Sequence, residues 1–85
     1  MANYPSLEDV INRLEIASLN YSLLLAQAND ARCLVGTLPG ALEKVNDMRQ
    51  EVEQLLNNFT HLPDTPEKIE AQCRATMLLC DLNAV

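Results

Sequence analysis

A chain of 85 residues has room for one domain and one core, and with only Tyr4, Tyr21 and Phe59 as aromatics that core must be aliphatic. Twelve acidic residues against six basic ones leave a net charge of −6. No two lysines or arginines are adjacent, which disfavours direct binding to nucleic acid or to an anionic membrane, because clustered cations hold both.

So small a core has little margin over the entropy of ordering its chain, and such chains often complete their burial by associating. The start, Met1 to Asp9, lacks the basic and apolar regions of a signal peptide. Cys33, Cys73 and Cys80 cannot all pair within one chain. On a helix, Cys73 and Cys80 stand ~10.5 Å apart along the axis, beyond the reach of a disulfide. These features predict a reducing, cytoplasmic setting, with the cysteines serving as small apolar fillers on helical stripes.

Ser6 precedes Leu7-Glu8-Asp9 and reads as an N-cap, with two carboxylates at the positive end of a helix dipole. From there Leu7, Val10, Leu14, Ala17, Tyr21, Leu24, Ala28, Ala31 and Val35 recur at alternating steps of three and four, the spacing of a bundle seam. The spacing predicts a first helix over Leu7–Val35, closed by Gly36. Its middle, Ile16 to Asn29, holds no charge, proline or glycine. Beside the seam, Ile16, Leu19, Leu23 and Ala26 form a second apolar face, so this helix is expected to be central and buried on both sides. The uncharged stretch is too short to span a bilayer, which takes about 20 apolar residues.

The link Gly36 to Gly40 is short enough to make the next helix an antiparallel neighbour. A second helix is expected over Leu38–Phe59, with Pro39 in its first turn and Leu38, Ala41, Val45, Met48, Val52, Leu55 and Phe59 on its seam. Glu43, Asp47, Gln50, Glu51 and Gln54 make its solvent face. Thr65 as N-cap and Pro66 at the first helical position begin a third helix, over Pro66–Leu82. It carries Ile69, Cys73, Met77 and Cys80 on one stripe, with Ala75, Leu78, Leu79 and Leu82 beside it. The fold class is all-α: a single domain over residues 1–85, an antiparallel three-helix bundle or helical hairpin with a long N-terminal helix, open to completion by oligomerisation.

Helix lengths point to an interface. At 1.5 Å per residue the first helix reaches ~43 Å and the second ~30 Å, so the second runs out near Ile16. Leu7, Val10, Ile11 and Leu14 are then uncovered, and they are the expected partner-binding surface. The other solution is a bend near Asn20 to Ser22 that closes the bundle on itself.

Chemistry is nearly absent. His61 is the sole histidine, the cysteines lack C-x-x-C spacing, and no nucleophile elbow, phosphate loop or H-E-x-x-H occurs. No metal, no cofactor and no catalytic residue is expected. The function read from the sequence is therefore a small acidic non-enzymatic protein-binding module, acting as an adaptor, a chaperone-like protein or an assembly subunit through surplus apolar helix surface. Its partner is another protein, a second copy, or both. Export chaperones share this size, acidity and helicity, but no motif ties the chain to a family. The alternative rests on Glu43, Asp47 and Glu51, spaced four apart on one face. Such a row suits an acidic inhibitor of the phage or mobile-element type, one that fills the basic nucleic-acid groove of its target.

Overall fold

A computed structural model describes residues 5–85; Tyr4 and the residues before it lie outside the described part. Three helices follow one another: α1 (Leu7–Asp30), α2 (Ala41–Phe59) and α3 (Pro66–Asn83), with a 3-10 turn at Val35–Thr37 between the first two. They pack as the antiparallel three-helix bundle that the periodicity predicts. Both sequence-read caps form: Ser6 Oγ accepts from the Asp9 N–H at 3.2 Å, and Thr65 Oγ1 accepts from the Lys68 N–H at 3.2 Å.

The first helix is one unbroken helix through Asn20 to Ser22, but it ends five residues before the expected Val35. Beyond Asp30 it would project past the start of α2 with nothing to pack against. The chain turns instead, and Val35 folds back into the core. The turn is a Schellman motif in which the Cys33 N–H donates to the Ala28 carbonyl at 2.9 Å and the Arg32 N–H to the Asn29 carbonyl at 3.1 Å. Arg32 takes the left-handed position with φ 54°, where a side chain is disfavoured and glycine is not. Gly36, expected there, lies four residues further on. Arg32→Gly should therefore raise stability by about 0.5–1 kcal/mol, read as an upward shift of Tm, since the residue is exposed and its side chain makes no ion pair among the described residues.

The second helix starts three residues later than expected. A residue ahead of proline is pushed out of the helical region, and Leu38, before Pro39, is extended at φ −70° and ψ 140°. Gly40, at φ 73°, then turns the chain into α2.

The core is one cluster. Val10, Leu14, Ala17, Leu24 and Ala28 of α1 meet Ala41, Val45, Val52, Leu55 and Phe59 of α2 and Ala71, Ala75, Leu78 and Leu82 of α3. The central element is α2, not α1: it packs against both other helices, whereas α1 and α3 touch each other little. The expectation that α1 is buried on both faces is thus overturned, because only its seam has helices to meet. The cysteines also depart from expectation. All three are exposed and free, so they fill no core space.

One charge enters the buried row of α3. Lys68 is only 7% exposed, its stem lying along the core while its Nζ reaches the exposed Asp64 carboxylate at 2.6 Å. That hydrogen bond, and then the charge of Lys68, hold the Asp64 carboxyl below its ordinary range. At the other end Arg49 donates to Asn83 Oδ1 at 3.3 Å and also bonds Asn46, tying α2 to the last turn of α3.

Candidate protein interface

Of the four residues expected to form the partner surface, two lie in the core and cannot present one. Val10 and Leu14 are 0% and 1% exposed, and Leu7 and Ile11 are half-buried against the same core. Two features close the end that helix lengths alone would leave open. The helix is shorter than expected, and the turn after Phe59 adds cover through Leu62, which packs on the core. The pairing of the two helices is visible in shared grooves: Gln27 and Asn20 of α1 line one with Lys44 and Glu51 of α2, and Arg13 lines another with Asn58. In that antiparallel register, the first turns of α1 lie opposite the turn that follows Phe59.

The surplus apolar surface lies on the opposite side of the same helix. Ile16, Leu19 and Leu23 are 58%, 60% and 54% exposed. With Ala26, also exposed, they form the second apolar face read from the sequence, about half a helical turn away from the buried seam. A rim of Asn20 and Gln27 borders it. Beyond these lies a groove of about 400 Å³ shared with Lys44, Asp47, Met48 and Glu51 of α2. These four apolar residues, expected in the interior from their helical spacing, face outward. No local signal separates the two faces, since both are aliphatic at helical spacing and both include alanine, Ala17 and Ala28 on the seam and Ala26 outside.

Other large apolar side chains are exposed on α3, where Ile69 and Met77 flank Cys73. That stripe has neutral Gln72 and Thr76 beside it but charged Glu70, Arg74 and Asp81 along its other flank, and it holds two large aliphatic or thioether side chains against the three of the outer face of α1. The groove between α1 and α3 holds Tyr21 near Asp81 and Arg74. Burial, and then the charge of Asp81, raise the Tyr21 phenol above its ordinary pKa.

The carboxylate row is where the sequence put it, with Glu43, Asp47 and Glu51 all exposed on α2. Two cations stand beside it. Lys44 shares one groove with Asp47 and Glu51, and Arg13 shares a second with the same pair. Neither forms an ion pair with it among the described residues, and the row stays an open, solvated helix face.

Among the described residues no three of His, Cys, Asp and Glu come together as metal ligands would, and no helix is long and apolar enough to cross a membrane. Comparison of the chain with protein-family models, with curated proteins and with solved structures finds no match.

Proposed function

We propose that the protein is a non-enzymatic binding module whose contact surface is the outer face of α1, with Ile16, Leu19 and Leu23 as its apolar centre. One observation carries the reading: three large aliphatic side chains stand in a row at more than half exposure, on a helix whose other face already closes the core. A contiguous apolar row of this kind costs free energy in water and is characteristic of protein-contact surfaces. The partner it suits is an apolar or amphipathic helix, laid along the row with anchors at matching steps of three and four.

The test is capture of partner protein from a native-host lysate by the immobilised chain, compared with a Leu19→Asp, Leu23→Asp double variant. Both residues are exposed, so the variant should keep its helical CD while capture falls at least tenfold. The acidic-inhibitor reading predicts the opposite pattern. There, Glu43→Lys, Asp47→Lys and Glu51→Lys together would abolish capture and the Leu19, Leu23 variant would not. We expect capture to survive the charge reversal even at low salt, because the row is an exposed, solvated helix face of the kind any soluble bundle helix carries. Loss on charge reversal alone would transfer the function to α2.

A further inference from the structure

Resting on the reading just given, we infer that the outer face of α1 pairs with the same face of a second copy, the two helices running antiparallel. The first ground is charge. With a net charge of −6, two copies repel over most of their surfaces, and the repulsion is least where neither brings a charge. The only long helical stretch of that kind is Ile16 to Asn29, and its outward side is the apolar row.

The second ground is the symmetry of the row. Asn12, Ile16, Leu19, Leu23, Ala26 and Asp30 follow one another at steps of 4, 3, 4, 3 and 4, the same read in either direction. An antiparallel two-fold placed between Leu19 and Leu23 brings Leu19 against Leu23 of the second copy, Ile16 against Ala26, and Asn12 against Asp30. Each large side chain outside the central layers meets a small one, and a polar layer closes each end of a row ~27 Å long. Parallel pairing sets Asp30 against Asp30 in one layer, a like-charge contact that the antiparallel arrangement avoids.

The third ground is the pair of charges at the ends. Arg13 is exposed beside Asn12, and neither Arg13 nor Asp30 makes an ion pair among the described residues. Asp30 also sits in the last turn of α1, where the helix dipole disfavours an anion and no basic residue is present. In the antiparallel pair, Arg13 of each copy comes within reach of Asp30 of the other, which relieves both. A single row of this length makes a small interface, so association in the micromolar range is expected.

Sedimentation of the full chain, from micromolar to about millimolar concentration, tests the association. The mass should rise from 9.5 kDa toward twice that value, and the Leu19→Asp, Leu23→Asp variant should stay monomeric throughout with unchanged CD. Orientation is read by cross-linking in a background with Cys33→Ser, Cys73→Ser and Cys80→Ser, all exposed positions. On oxidation, Ile16→Cys mixed with Ala26→Cys should give a disulfide-linked dimer, and Ile16→Cys alone should not. Preferential linking of Ile16→Cys to itself, or a dimer indifferent to the two aspartates, overturns the proposal. So does a strict monomer. If that monomer still binds another protein through Leu19 and Leu23, only self-pairing is lost; if its binding ignores them, the interface reading falls too.

Discussion

Leu24→Asp should abolish the cooperative fold, while Leu23→Asp, one residue away, should leave it nearly untouched. Leu24 is 4% exposed and belongs to the single core shared by the three helices. Replacing it removes an aliphatic side chain worth roughly 2–3 kcal/mol of burial. It also places a carboxylate at a position almost closed to water, so the group must either stay neutral at the expense of a raised pKa or drag water inward. Together these effects cost about 4–5 kcal/mol, most or all of the stability of a domain this small. Leu23 is 54% exposed and faces away, so its substitution falls within about 0.5 kcal/mol. Thermal and urea unfolding followed by CD separate the two. A Leu24→Asp protein that melts like the parent would show that the buried seam of α1 is misassigned.

Phe59→Ala carries the next largest expected effect, a loss of about 3–5 kcal/mol. Phe59 is the only phenylalanine, it is 0% exposed, and it is the largest of the fully buried side chains. It closes α2 where the chain turns toward α3, and the Leu62 N–H donates to its carbonyl at 3.2 Å. Leu14, Leu55 and Val10 are among the other fully buried side chains, all branched and unable to stretch into the space an alanine leaves. The cavity term therefore adds to the lost transfer term with little relaxation. In urea the midpoint should fall with the slope unchanged, marking lost stability rather than a different unfolded state. The effect should be larger than that of any alanine substitution on the outer face of α1, such as Leu19→Ala.

The existence and order of the three helices were legible in the residues. The seam positions Val10, Leu14, Ala17, Leu24 and Ala28 recur at steps that only a helix places on one face, and the caps at Ser6 and Thr65 are local chemistry. Both are properties of a few neighbouring residues, so they need no knowledge of the rest of the chain. The late start of α2 was legible in principle as well, since Leu38 before Pro39 is a local constraint.

What the sequence could not decide was which of two apolar faces of α1 had a neighbour. Ile16, Leu19 and Leu23 are as hydrophobic as the residues that are buried, and periodicity records that a face exists without recording what covers it. That depends on where α2 lies and how far it reaches. Those in turn depend on a chain reversal at Arg32 that carries no glycine, and on Leu62 covering the open end. The same dependence moved the candidate interface from Leu7, Val10, Ile11 and Leu14 to the middle of the helix. Hydrophobic patterning by itself determined that this chain is a helical bundle with more apolar surface than one core of its size needs; only tertiary packing decided which part of that surface is left facing water, because burial is a relation between segments distant in the chain.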